Sequence, residues 1–305
     1  MKENNGIFTK IRKSRFLKVM FARKSVIFCT IVLVLLLLSA FFAPLIAPYD
    51  PLKQDLRNSL VGMSPKHIFG TDEVGRDILS RILYGGRISF AVGFGSVLFA
   101  AVGGIVLGLT AAMVRGSVEV VIMRIMDAVS SIPGLILAMF MSVILGKGIL
   151  NVCISLGLCL LPQFCRVTRA QALLVRQSDY IIAGVLCGAS KMVNTIKHVL
   201  PHCISLNIVT ASMSIGAAII TEASLSFLGL GINPPTPSWG GMINSGYAYL
   251  SSNPIIAIVP GIFIMIVVLC ANFVGDAVRD AMDPKLRGTL VKAGNKRKSL
   301  KKKTA

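Results

Sequence analysis

From Ser25 to Tyr49 the chain carries no Asp, Glu, Lys or Arg, and such uncharged runs recur at 88–114, 128–146, 148–165 and 223–275. A helix needs about 20 consecutive apolar residues to cross a hydrocarbon layer roughly 30 Å thick. Repeated runs of that length leave an all-α, multi-spanning integral membrane protein as the fold class, because lipid offers no partner for a free backbone N–H or C=O. Composition agrees: 54% of the 305 residues are hydrophobic and only 15% are charged, against about 25% charged in a typical soluble domain.

Six spans follow from the runs, at about 25–47, 88–114, 120–145, 149–165, 204–230 and 255–277. The first follows a basic region and imitates a secretory signal. That region is long and five more spans follow, which favours an uncleaved helix. The formal charge of +19 is unevenly placed. Residues 1–24 hold eight Lys/Arg against Glu3, and 278–305 hold ten against Asp280 and Asp283. Basic flanks mark cytoplasmic ends, so both termini are expected in the cytoplasm, with the tails touching anionic lipid. Nucleic acid is not the expected partner, since no aromatics interleave with the cations. The outer segments 48–87 and 231–254 are nearly neutral and uncharged, respectively. The inner segment 163–203 carries Arg166, Arg169, Arg176, Lys191 and Lys197 against Asp179. The expected organisation is therefore a basic tail 1–24, a first span 25–47, an extracytoplasmic segment and elbow 48–87, a five-helix core 88–277 and a basic tail 278–305.

Within the spans, Ala100, Gly104, Gly108 and Ala112 repeat every four residues. Small residues on one face let a second helix approach closely, where dispersion replaces the missing hydrophobic force; a pore-lining face is the alternative. Glu222 is the acid inside the fifth span, and an intramembrane acid must face protein or water. A hydrogen bond to a neighbouring helix and a place on a translocation path both stay open for it. Arg124 and Asp127 are spaced for an i,i+3 pair. The seven cysteines have no CxxC spacing and read as small hydrophobes. No phosphate loop, HExxH or GxSxG occurs, so no catalytic, cofactor or metal site is expected in this chain.

The segment "GASKMVNTIKHVLP" (188–201) is a polar interlude between spans. Gly188 suits a positive φ and Ser190 suits a helix cap. Met192, Ile196, Val199 and Leu200 fall on one helical face, and Pro201 is expected to close the helix. From periodicity alone, an amphipathic helix lying on the membrane surface fits as well.

Four collinear motifs carry a resemblance: "KHIFGTDEVGRDILSRILYGGRISFAVG" (66–93), the 188–201 block, "ASLSFLGLGINPPTPSWGGMI" (223–243) and "GDAVRDAMDPKLRG" (275–288). Together they resemble the C-type permease subunit of dipeptide, oligopeptide and nickel importers of the ATP-binding cassette (ABC) class, over about residues 25–290. The resemblance implies a type I importer permease fold in the cell membrane. It further implies a B-type permease partner, two ATPase subunits holding ATP and Mg²⁺, and an extracytoplasmic solute-binding protein. The loop 163–203 would carry the family's EAA signature and its coupling helix, assigning ATPase coupling to Asp179, Tyr180, Ala183, Gly188, Ala189, Ser190, Leu200 and Pro201. The signature departs from the family pattern at Ile182-Ala183-Gly184, where the usual glutamate is absent. Pro234, Pro235 and Trp239 would contact the binding protein or form an outer gate, with stiffening of a re-entrant turn as the other reading. Peptides are the expected substrate, with nickel or a metallophore as the alternative. A channel or secondary transporter, or a non-transporting scaffold, is the competing class.

Overall fold

The computed structural model describes residues 20–282 apart from Ala22 and Ala189, so most of both basic tails lies outside the described residues. The helices are α1 (Lys24–Phe41), α2 (Ala43–Ile46), α3 (Ile78–Val114), α4 (Gly116–Ser130), α5 (Gly134–Leu145) and α6 (Ile149–Arg176). They continue with α7 (Asp179–Leu186), α8 (Lys191–Asn194), α9 (Leu200–Phe227), α10 (Trp239–Tyr247) and α11 (Ile255–Met282). Among the described residues, five stretches are long and apolar enough to span a membrane: α1, α3, α6, Met192–Phe227 and α11. The pair α4 and α5 makes a sixth only as a helix bent by 95°.

The third span, expected at about 120–145, is thus not one continuous helix. Ser131, Ile132 and Pro133 separate the two halves. Proline disfavours helical geometry in the residue before it and supplies no N–H of its own. The expected Arg124–Asp127 pair is replaced as well: Asp127 Oδ1 accepts from Arg166 Nη2 of α6 at 3.0 Å.

The second span begins ten residues earlier than its apolar run, at Ile78. Asp77 supplies the cap, its Oδ2 accepting from Ser80 N at 2.8 Å and Ser80 Oγ at 2.7 Å. At about 1.5 Å per residue, the 37 residues of α3 reach roughly 55 Å, well beyond the hydrocarbon layer. The preceding elbow is knit by ion pairs. Asp72 accepts from Arg76 Nε at 2.6 Å, with Arg81 Nε at 3.4 Å, while Glu73 accepts from Arg76 Nη2 at 3.0 Å. His67 Nδ1 lies 2.9 Å from Asp77 Oδ1.

The small-residue stripe of α3 lies against α6. A Cβ on Gly104 would stand 2.4 Å from Phe164 Cβ and 2.8 Å from Cys165 N, and one on Gly108 would stand 2.5 Å from Cys165 O. Ala100 and Ala112 are buried in the same contact region, in clusters with Phe164 and with Ala172 and Val175. Glu222 of α9 is fully buried, accepting from Ser89 Oγ of α3 at 3.0 Å and from Ser226 Oγ at 2.8 Å.

The bundle has two distinguishable ends. At one, the starts of α3 and α11 meet through Ile78, Ile82, Ile256 and Val259, joined by Met242 of α10. At the other, Arg23 before α1 pairs with Asp280 of α11 at 3.3 Å. The end of α3, the end of α6 and the start of α9 converge there, through Ala112, Ala172, Val175, Val199 and Cys203.

Candidate functional site

The loop between α6 and α9 forms the candidate site, and its boundaries differ from expectation. Helix α6 continues to Arg176, eleven residues past the expected end of the fourth span at 165. Its charged residues sit on one helix: Arg169 Nε donates to Glu119 Oε1 of α4 at 2.8 Å, and Arg176 Nη1 donates to Ala112 O at 3.2 Å. The free-standing short helix of the loop is α7, which contains Asp179, Tyr180 and Ala183. All three are exposed, and the Tyr180 ring meets His198 edge-on at 6.3 Å.

Gly188 turns the chain with φ +84°, a conformation that costs glycine no Cβ clash. Ser190 begins the next helix, its Oγ accepting from Val193 N at 3.3 Å. Ala189 lies outside the described residues. Beyond this point Pro201 does not close a helix, contrary to expectation. It sits in the first turn of α9, and the chain from α8 runs through into that span. Proline has no N–H to donate and crowds the carbonyl four residues back. A π turn, Thr195–Val199, absorbs the misfit, with Leu200 N donating to Thr195 O. Such single π turns are the usual way a helix accommodates one displaced hydrogen bond.

The expected apolar face also divides. Val199 is fully buried and Leu200 half-buried, whereas Met192 is 68% exposed and Ile196 is exposed as well. The exposed patch gains three residues not predicted to belong to it, Ile182, Val193 and Leu186, the last 83% exposed. Beneath the patch, Ile181 is only 4% exposed and joins Ala112, Ala172, Val175, Val199 and Cys203. The segment "DYIIAGVL" offers two adjacent isoleucines, which lie about 100° apart on a helix, so one can point inward while its neighbour points out.

At the opposite end of the bundle, the surroundings of Trp239 suit the stiffened-turn reading rather than a surface contact. Its side chain is nearly fully buried, with Nε1 donating to Ile82 O at 3.0 Å. The ring centroid lies 5.6 Å from that of Phe90 and 6.3 Å from that of Phe263. The indole therefore fastens the 231–254 segment to α3 and α11. Pro234 and Pro235 are exposed.

Sequence reasoning missed one feature, a cavity of about 370 Å³ at the break between α4 and α5. Its walls include Ser130, Ile132 and Gly134 from the break, with Cys159, Gln163 and Arg166 from α6. The available signal was "SSIPG" at 130–134, which does not interrupt the apolar run.

The family described as "Binding-protein-dependent transport system inner membrane component" matches residues 104–288. The "N-terminal TM domain of oligopeptide transport permease C" matches residues 14–65. The di/tripeptide transport system permease protein DppC of Pseudomonas aeruginosa is 40% identical over 262 residues, covering 84% of this chain and 86% of that one. The glutathione transport system permease protein GsiD of Escherichia coli O6:K15:H31 is 41% identical over 256 residues, 84% of each chain. Among solved structures, an inward-facing conformation of the MetNI methionine ABC transporter is similar with a TM-score of 0.55 and 20% identity. That likeness covers 67% of this chain and 97% of the matched one, and it concerns the fold.

Proposed function

Since the chain belongs to the family of binding-protein-dependent transport system inner membrane components, we propose that it is the C-type permease subunit of an ATP-driven peptide importer. It pairs with a B-type permease, and two separate ATPase subunits hold ATP and Mg²⁺. An extracytoplasmic binding protein delivers the solute, and both termini lie in the cytoplasm. Peptides are favoured over nickel because the relatives named above are permeases for di/tripeptides and glutathione.

The observation that carries this reading is the apolar patch on α7 and the start of the following helix. Ile182, Leu186, Met192, Val193 and Ile196 are exposed together where α3, α6 and α9 converge. Apolar side chains exposed at the end of a spanning stretch and on the short helix before it mark a protein contact or a membrane contact. An ATPase groove explains it while also explaining the rigid anchor beneath, Ile181, through which a docked partner moves three spans. The missing EAA glutamate then means a contact that is more apolar than usual, with Ile182 in its place.

The test is co-purification of tagged full-length chain with its neighbours. Wild type retains an ATP-hydrolysing partner, and Leu186→Asp or Ile196→Asp releases it while the permease stays folded, since both side chains are exposed. Failure of wild type to retain any ATPase would sink the reading. Retention that survives both substitutions would move the docking site elsewhere.

A further inference from the structure

We propose that Arg166 and the cavity beside it form a station on the solute's path that recognises a carboxylate, the chemistry of a peptide's C-terminus. The proposal deepens the importer reading and rests on it. Arg166 lies about 26 Å along α6 from Ile149, at about 1.5 Å per residue. That places it near the inner end of a spanning stretch, where an arginine faces protein or a water-filled space rather than lipid. Here it lines a space of about 370 Å³, inside the range of about 300–1,000 Å³ found for small-molecule sites.

The guanidinium is held but not consumed. Its Nη2 donates to both Asp127 Oδ1 and Ser130 Oγ at 3.0 Å. Its Nε and Nη1 make no hydrogen bond to the described residues, and its side chain is 45% exposed. Both parallel edges of a guanidinium include Nη2, so the Nε–H and Nη1–H groups stay available to donate singly, as charge-assisted hydrogen bonds, to a carboxylate oxygen. The 95° break between α4 and α5 is what opens the space; a straight helix through residues 116–145 would carry Ile132 and Gly134 elsewhere. Irregular backbone at membrane depth is tolerated where it lines a cavity, and discontinuous helices build the solute sites of other transporters. The remaining wall is mixed, with Gln163 polar and Ile132 apolar. That mixture suits an amphipathic solute rather than a bare ion.

The test uses the complete transporter, with its partner permease, ATPases and binding protein, reconstituted in vesicles. Uptake of a labelled dipeptide is compared with uptake of its C-terminal amide, at binding-protein concentrations saturating for both. In wild type the free acid is preferred. Arg166→Gln lowers the acid-to-amide uptake ratio about tenfold, the loss expected for a charge-assisted hydrogen bond, and Arg166→Lys lowers it less. Equal loss for both peptides means that Arg166 only braces α4, and overturns the proposal. An effect seen only in vesicles containing anionic lipid, again equal for both peptides, assigns the guanidinium to a lipid phosphate and overturns it too. No uptake of either peptide by wild type would instead remove the importer reading itself.

Discussion

Glu222 shows how a single ionisable side chain is accommodated inside a bundle. Both carboxylate oxygens are occupied by serine hydroxyls, Ser226 from its own helix and Ser89 from α3. The residue therefore ties α9 to α3 and has no exposed surface, which favours the helix-contact reading over a place on the path. Glu222→Gln keeps an acceptor for at least one serine and removes the burden of a buried acid, so stability in detergent should change little. Glu222→Ala leaves both hydroxyls without that acceptor and opens a void. Each unsatisfied buried group costs about 1–3 kcal/mol, so the melting temperature of the purified chain should fall by several degrees. Equal melting temperatures for Gln and Ala variants would show that the hydrogen bonds contribute nothing.

Among the helices, the approach of α3 to α6 depends on which glycine faces backbone and which faces a flexible side-chain tip. At Gly104 an added methyl meets Phe164 Cβ at 2.4 Å and the Cys165 backbone nitrogen, neither of which can rotate away. At Gly103 the obstacle is only Leu161 Cδ1, at 2.6 Å. Gly104→Ala should therefore cost about 1–3 kcal/mol through overpacking, and Gly103→Ala clearly less, as read by thermal unfolding followed by light scattering. The stripe that makes this contact was legible in the sequence because four-residue spacing of small side chains has one geometric meaning on a helix. Helix ends were less legible. The start of α3 is hidden by Arg81 and Arg87, which break the apolar run, and only the Asp77 cap betrays it. The break after Ser130 is hidden for the opposite reason, because Ile132 and Pro133 continue the run. Pro201 misled by a general rule: proline usually ends a helix, but here a π turn lets the helix pass. The polar loop announced the site, whereas the exposure of Leu186 and the burial of Ile181 depend on how α7 settles against three other helices.

Under the proposed function, the whole molecule works as a lever whose short arm is α7. Ile181 reaches into a cluster built from Ala112 of α3, Ala172 and Val175 of α6, Val199 at the end of the π turn and Cys203 in the first turn of α9. A force on the exposed patch is thereby delivered to three spans together, and one of them, α6, carries Arg166 and the cavity wall. Ile182 faces out and Ile181 faces in, so the proposed function assigns docking and transmission to separate neighbouring residues. Under the proposed function, Ile182→Asp weakens retention of the ATPase and lowers ATP hydrolysis and uptake in proportion. Ile181→Ala keeps the outer surface but empties a buried site, a truncation that costs about 2–5 kcal/mol in packed interiors. The ATPase remains bound and continues to hydrolyse ATP, while solute imported per ATP falls severalfold. The measurement is paired hydrolysis and uptake in the same vesicles, with complex integrity checked by size-exclusion chromatography. If Ile181→Ala leaves the uptake-to-hydrolysis ratio unchanged in an intact complex, motion reaches the spans by another route, and the continuous helix through Thr195–Val199 becomes the element to probe.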